Sequence, residues 1–340
     1  MNKSIFILAI ESSCDETSVA IIENGSSIKA NIVASQVKSH VRFGGVVPEV
    51  ASRHHVEQIS QLIGMAIKKS GISGWGQIDA VAVTQGPGLV GPLLVGVTAA
   101  KTLAYIYHKP LIAVNHLAGH IYSSRFMSEL KFPLLALIVS GGHTELVYME
   151  GDHRFEVVGE TQDDAVGEAY DKVGRLLDLP YPAGKYLDVL AQKGDPRVYE
   201  VPRAMIDEEN LDFSFSGMKS AVMNIVHNAN QRGETIQSAD LAAGFQLAVI
   251  EVIETKVRRA LRTYPQVKQF VLAGGVAANS GIRTQLRKMM DEEFSQVEML
   301  IPPLSLCGDN AAMIGAAAYP LFCEEQFSNL TINAKPGLML

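Results

Sequence analysis

The chain has 340 residues, 47% hydrophobic and 19% charged, with a formal net charge of -7. That length favours two domains over a single core, and the acidic balance excludes a generally basic nucleic-acid binder, so any polyanion must meet a local basic face. Cys14, Cys307 and Cys323 form neither a metal-type pair nor an even disulfide framework, and no apolar run approaches the ~18 residues of a membrane span, which together point to the cytoplasm. Residues 5–10 form an apolar stretch followed at once by Glu11 and Asp15 with no small-residue cleavage site, so they read as a first strand and not a signal peptide.

A small polar turn, residues 12–17, leads to a returning strand over 18–22 that ends at Asn24-Gly25. A helix opens at Pro48, sets Val56, Ile59, Leu62, Ile63, Ala66 and Ile67 at helical spacing, with Val56, Ile59 and Ile63 offering apolar surface to a partner, and stops at Gly71. Residues 79–84 form a buried strand running into the glycine-rich turn 85–92, where a backbone or a phosphate can come close, and an Ala- and Val-rich helix follows to Tyr107. Residues 111–114 are a strand that delivers Asn115, His116 and His120. The second half repeats the pattern: a strand at 134–139, the turn Ser140-Gly141-Gly142-His143-Thr144, a strand at 145–149, then a strand at 270–273 entering Gly274-Gly275, a helix through Arg287 and a strand at 297–301. Residues 160–195 and 235–265 read as helical, the stretch 195–217 as looser, and the tail from Asn333 as frayed. The expected architecture is α/β, with two duplicated lobes around a central cleft: residues 1–133, joined by a C-terminal helix over 312–340, and residues 134–311.

His116 and His120 stand one helical turn apart, so on a helix both imidazoles leave one face within reach of a shared metal ion, with a third ligand from elsewhere. The alternative is one capping and one core histidine, but the carboxyl end of a buried strand is where open α/β sheets place ligands. The two matching hairpin turns offer hydroxyls and backbone amides for a phosphate clamp, and no Walker loop is present. Gly274-Gly275 with Asn279 suits either an adenine or ribose face or a plain tight turn. Asp171 and Asp188 suit either ribose hydroxyls or a solvated helix surface.

The segments Ser13-Cys14-Asp15-Glu16-Thr17-Ser18, Phe43-Gly44-Gly45-Val46-Val47-Pro48-Glu49, Gly86-Pro87-Gly88, Asn115-His116-Leu117-Ala118-Gly119-His120, Val139-Ser140-Gly141-Gly142-His143-Thr144, Phe213-Ser214-Phe215-Ser216-Gly217-Met218-Lys219, Gly274-Gly275-Val276-Ala277-Ala278-Asn279 and Cys307-Gly308-Asp309-Asn310 together give a chain that resembles the bacterial TsaD family over nearly its whole length. The resemblance implies an actin/Hsp70-like (ASKHA, ribonuclease H-like) fold and transfer of threonylcarbamoyl from threonylcarbamoyl-AMP to the exocyclic amine of the tRNA adenosine 3′ of the anticodon, in tRNAs reading codons that begin with A. It implies one divalent metal on His116, His120 and Asp309, Fe(2+) first and Zn(2+) as alternative. It also implies substrate contacts from Val139, Ser140, Gly141, Gly142, His143, Asp171, Gly184, Asp188 and Asn279. A TsaB-like paralogue and a TsaE-like ATPase are the implied partners, with the helix from Pro48 as the pairing surface. The family usually shows Tyr-Pro-Gly-Gly-Pro where this chain has Tyr181-Pro182-Ala183-Gly184-Lys185, so a positive φ at position 183 would strain Ala183.

Acyl transfer from a mixed anhydride requires positioning and charge stabilisation but no covalent enzyme intermediate, and Asp15 or Glu16 is available as a general base or as a turn-stabilising group. Lys256, Arg258, Arg259, Arg262, Arg283, Arg287 and Lys288 are candidates for the basic face. Asp309 is expected to draw the ion between the two lobes, against a role as a helix cap. A metalloprotease reading suffers because Leu117 stands where that chemistry needs Glu, a sugar or acetate kinase has no use for paired histidines, and a non-catalytic ATP-binding scaffold has no use for a metal triad.

Overall fold

The computed structural model describes residues 3–340. The chain divides into two compact units, Met1–Leu130 with Pro302–Leu340, and Lys131–Ile301.

In the first unit, β1 (Phe6–Glu11), β2 (Glu16–Glu23), β3 (Ser27–Ser35), β4 (Ala80–Gly86) and β5 (Leu111–Asn115) form a sheet in the order β3-β2-β1-β4-β5. The β1, β2 and β3 strands are antiparallel, whereas β4 and β5 run parallel to β1. Alternation decides what each face carries. Leu8, Ile10, Val19, Ile21, Val81 and Val83 pack with Ile59 and Leu62 of α2 (Pro48–Ser70) and Val97 of α3 (Val90–Ile106). On the other face, α11 (Ala311–Cys323) comes so close that a Cβ on Gly315 would stand 2.5 Å from Ile22 Cγ1 and 3.4 Å from Ala9 Cβ. Short α1 (Val37–His40), α4 (His116–Tyr122) and α10 (Leu304–Cys307) complete the unit.

The second unit repeats this plan. Here β6 (Leu134–Val139), β7 (Thr144–Gly151), β8 (Arg154–Glu160), β9 (Gln269–Ala273) and β10 (Glu298–Leu300) are ordered β10-β9-β6-β7-β8, with the same antiparallel triplet and parallel pair. Its helices are α5 (Val166–Leu176), α6 (Gly184–Ala191), α7 (Ser216–Arg232), α8 (Ser238–Thr263) and α9 (Ser280–Glu293).

Helix α2 begins with Pro48 in its first turn and ends on Gly71 at φ 75°, as the sequence leads one to expect. Besides short α1 and α10, three longer elements escape the sequence reading. The β3 and β8 strands are half-exposed with no clean alternation, and α7 follows a stretch read as loose. Two expectations about the C-terminus are corrected. Helix α11 ends at Cys323, well short of residue 340, because Asn329, Asn333, Pro336 and Gly337 supply no helical face. The tail is also held in place. Lys335 N–H donates to Gln85 O (2.8 Å) and Gly88 N–H to Pro336 O (3.1 Å). A Cβ on Gly86 would lie 1.8 Å from Lys335 O, so the glycine there admits the chain's own tail.

Candidate metal centre and substrate-binding turns

Asn115 ends β5 and caps α4: its Oδ1 accepts from Leu117 N–H (2.8 Å) and Ala118 N–H (3.3 Å). The helix therefore starts at once, placing His116 and His120 on successive turns, both buried, with ring centroids 4.8 Å apart and planes at 83°. Asp309 arrives from the loop between α10 and α11. Its Oδ1 is 3.2 Å from His120 Nε2 and 3.6 Å from His116 Nε2. Atoms sharing one ion at about 2.1 Å stand roughly 3–3.5 Å apart in a tetrahedral site, so the two Asp309 distances suit a shared divalent metal, and the three ligand atoms lie within 4.8 Å of one another. Both ring nitrogens of fully buried His120 lack a hydrogen-bond partner among the described residues, an expense that an ion on Nε2 would lessen.

Two expectations for Asp309 are settled. It lies in the same unit as the histidines, because the chain re-enters that unit at Pro302, so all three candidate ligands come from one unit and the expectation that Asp309 comes from the second lobe is corrected. Nor does it cap α11. Asn310 does, accepting from Met313 N–H at 3.3 Å.

Behind His116 lies fully buried Glu11. It accepts from His116 Nδ1–H (3.0 Å), Thr84 Oγ1–H (2.5 Å) and Ser13 N–H (2.5 Å). Burial pushes its carboxyl up, but the charge and hydrogen bond of His116 outweigh this and hold it below the usual range. Burial pushes His116 down, and the Asp309 and Glu11 carboxylates outweigh it, raising the imidazole to about 9. Glu16, at the start of β2, accepts from Ser35 Oγ (3.0 Å) and is pushed up to about 9 by burial, then by Asp309 and Asp15. Burial and Asp15 raise the Cys14 thiol, which leaves it no thiolate character.

The second unit holds the other expected residues. After Val139, the Ser140–His143 turn closes through Ser140 N–H to His143 O (2.9 Å), while the Gly141 and Gly142 amides donate to nothing among the described residues and a Cβ at either would meet open space. The α5 N-terminus abuts this turn: a Cβ on Gly167 would lie 2.6 Å from Ser140 O, and Val166 N–H donates to Thr144 Oγ1 at 2.9 Å. Asp171 accepts from Ala183 N–H at 2.7 Å, fixing the loop before Gly184. Ala183 has φ -82°, so the expected strain is absent, and its methyl fills the space that Gly174 leaves: a Cβ there would be 2.1 Å away. Asp188 is buried and accepts from Gln246 Nε2 and from Ser280 N–H and Oγ, each at 3.0 Å. Asn279 caps α9 through Ile282 N–H (2.9 Å) and donates to Gln246 Oε1 (3.0 Å).

The basic face contracts. Lys256 is buried, donating to Asn210 O and Oδ1, and Arg259 holds the same loop. Arg258 and Arg262 pair with Glu293, and Arg283 donates to Ala277 O. Arg287 and Lys288 remain, lining a shallow cavity of about 570 Å³ with Arg283 and Thr284. On α2, Ile59 is 6% exposed and part of the core, whereas Val56 and Met65 are 63% and 52% exposed, which reassigns the outward face.

Sequence reasoning missed Glu11, Thr84 and Asp163. Asp163 accepts from Ser214 Oγ (2.5 Å), Ser216 Oγ (2.6 Å) and Phe215 N–H (2.8 Å), anchoring the Phe213–Lys219 segment. A carboxylate directly after an all-apolar strand, as in Ile10-Glu11, was the available signal for the first of these.

A family model described as "TsaD: tRNA N6-adenosine threonylcarbamoyltransferase" matches residues 27–316. The chain belongs to the TsaD family. Proteins carrying that enzyme name are 60% identical over 332 residues in Enterococcus faecalis (98% of this chain, 94% of that one) and 57% identical over 340 residues in Geobacillus thermodenitrificans (100% and 98%). Among solved structures, HypF from T. kodakarensis superposes with a TM-score of 0.64 at 14% identity, covering 96% of this chain and 49% of that one. The activator of 2-hydroxyisocaproyl-CoA dehydratase from Clostridium difficile gives 0.54 at 14% identity, with 96% and 99% covered. At such identities the likeness concerns the fold, the duplicated actin/Hsp70-like architecture of a TsaD family member. Among the described residues no helix is long and apolar enough to cross a membrane.

Proposed function

We propose that this TsaD family member transfers threonylcarbamoyl from threonylcarbamoyl-AMP to the exocyclic amine of the tRNA adenosine 3′ of the anticodon, in tRNAs reading codons that begin with A, in the cytoplasm. Family membership supports the reaction, and the convergence of His116, His120 and Asp309 around the unpartnered His120 ring is the observation that carries the site. These three residues would hold one divalent ion, Fe(2+) in preference to Zn(2+), which when bound supplies Lewis-acid stabilisation of the charge developing on the acyl group.

The chain's own groups do the rest. The Gly141 and Gly142 amides, beside the α5 N-terminus, suit the adenylate phosphate. Val139, Ser140, His143, Asp171, Gly184, Asp188 and Asn279 form the wider nucleotide surface, in which Asp171 and Asp188 brace the loop before α6 and the start of α9. Glu16, pushed up by burial and its acidic neighbours, fits a proton donor, and Asp15 fits an acceptor for the proton of the attacking amine. Arg287 and Lys288 suit tRNA phosphates, and the exposed Val56 and Met65 on α2 suit a TsaB-like partner, with a TsaE-like ATPase completing the assembly. Buried Leu117 beside His116 offers no base for peptide hydrolysis.

The test is nucleoside mass spectrometry of tRNA from cells depleted of the protein. Threonylcarbamoyladenosine should disappear and return with the wild-type chain but not with Asp309→Asn. Undiminished modified nucleoside after depletion would refute the assignment.

A further inference from the structure

The carboxylate behind His116 belongs to none of the roles above, and its surroundings define one. Ile10 of β1 pairs with Val83 of β4, so Glu11 and Thr84 follow side by side at the carboxyl ends of two parallel strands. As a carboxylate Glu11 can only accept, so its contact with the His116 ring requires the proton on Nδ1. Ser13 N–H is a donor by constitution and binds Oε1, while Thr84 Oγ1–H and His116 Nδ1–H converge on Oε2. Ser13 Oγ, 3.2 Å from Nδ1, stands on the same side of the ring. With one proton fixed on Nδ1, the neutral His116 ring presents the lone pair of Nε2, the atom that faces Asp309. His120 has no such brace: its Nδ1 is buried without a partner.

We propose that Glu11 is a positioning residue that selects the Nδ1–H tautomer of His116 and holds its ring for metal ligation, with Thr84 keeping the carboxylate in place. The proposal rests on the metal reading of His116, His120 and Asp309. It makes His116 the anchored ligand and His120 the adjustable one. Ligating histidines commonly carry such an outer carboxylate or carbonyl, and removing it weakens metal binding about 10- to 100-fold.

Glu11→Gln keeps the shape and an acceptor for Ser13 N–H but turns a donor toward His116 Nδ1. The experiment titrates Zn(2+), and Fe(2+) under anaerobic conditions, into the metal-stripped full chain against a competing chelator, and reads the histidine tautomers by 15N NMR of the metal-free protein above pH 9, where the His116 ring is neutral. Glu11→Gln should lose at least tenfold in affinity for either ion and shift His116 to the Nε2–H form, while its metal-free melting transition remains cooperative. Thr84→Val, which removes one donor without changing volume, should lose affinity in the same direction by a smaller factor, and it carries the test if Glu11→Gln does not fold. Wild-type affinity with an unchanged Nδ1–H tautomer in Glu11→Gln, or in Thr84→Val if that variant stands in, would overturn the role of Glu11. Asp309→Asn separates this from failure of the metal reading. If Asp309→Asn loses metal while Glu11→Gln retains it, the centre stands and the assignment of Glu11 falls; if both bind as wild type, the centre falls and the proposal with it.

Discussion

Asn310 takes the capping role at α11, so Asp309 is released from the structural duty that an acidic residue before a helix ordinarily performs. Substituting Asp309 by Asn should therefore cost the metal without uncapping α11: metal content after dialysis should fall below a tenth of wild type, while above pH 9, where His116 is neutral and needs no counter-charge, the metal-free melting temperature changes by no more than about 2 °C. Full metal content in that variant would send the third ligand elsewhere. His116 adds a dependence on pH. Its folded value of about 9 lies above the ordinary 6.5, so in the metal-free protein its contribution to stability is fully present below about 6.5 and is lost as pH rises through about 9. Ligation needs the neutral ring, so proton and metal compete. Apparent metal affinity should rise by up to about tenfold per pH unit between pH 7 and 9, and a flat profile in chelator-competition titrations would contradict the raised value.

At the scale of elements, two glycines near the same turn should behave in opposite ways. Gly142 faces open space, so Gly142→Val should fold normally yet weaken a non-hydrolysable threonylcarbamoyl-adenylate analogue about tenfold, roughly 1.4 kcal/mol, by calorimetry. Gly167 is packed against Ser140 O, so Gly167→Ala should instead lower the melting temperature. Thr144 is no bystander, since its hydroxyl holds the first turn of α5. On the neighbouring strand pair, Glu145 of β7 stands opposite Glu160 of β8, and burial and that like charge push Glu145 up to about 7. A carboxyl raised in the folded state contributes stability below its unfolded value and loses it as pH rises through about 7. Glu145→Gln should thus be neutral at pH 4 and stabilising at pH 8 by roughly 1 kcal/mol, checked by thermal melts at both values. These elements also show what could be read in advance. The β1, β4, β5, β6 and β9 strands were legible because burial on both faces writes a continuous apolar run. The β3 and β8 strands were not, because edge strands take their place from a neighbour's hydrogen bonds and carry little pattern of their own. His116 and His120 were legible from helical spacing. Glu11 and Thr84 were not, because they meet only after β4 is laid beside β1, 73 positions apart in the chain.

For the molecule as a whole, the tail is the largest departure from expectation, and it ties the end of the chain to α4, the helix that carries the two candidate histidine ligands. Gln85 Nε2 donates to Asn333 O (3.0 Å), the Gly86–Gly88 turn receives Lys335 and Pro336, and Asn115 Nδ2 donates to Met339 O (3.1 Å) and Leu338 O (3.4 Å), next to the candidate ligands on α4. The last link matters because the other end of the same amide, Asn115 Oδ1, caps α4. Holding Nδ2 on the tail prevents the amide from turning over and pointing a donor at Leu117 N–H and Ala118 N–H. Deleting residues 333–340 should accordingly leave the sheet intact but loosen the first turn of α4. Hydrogen exchange at Leu117 and Ala118 should accelerate about tenfold or more, equivalent to roughly 1.4 kcal/mol of local stability, with protection in β1 and β6 unchanged. Metal affinity should fall with it, since His116 occupies that turn. Protection at Leu117 and Ala118 identical to the full chain would reduce the tail to a surface appendage. Loss of protection throughout the first unit would make it instead an integral part of that unit's fold.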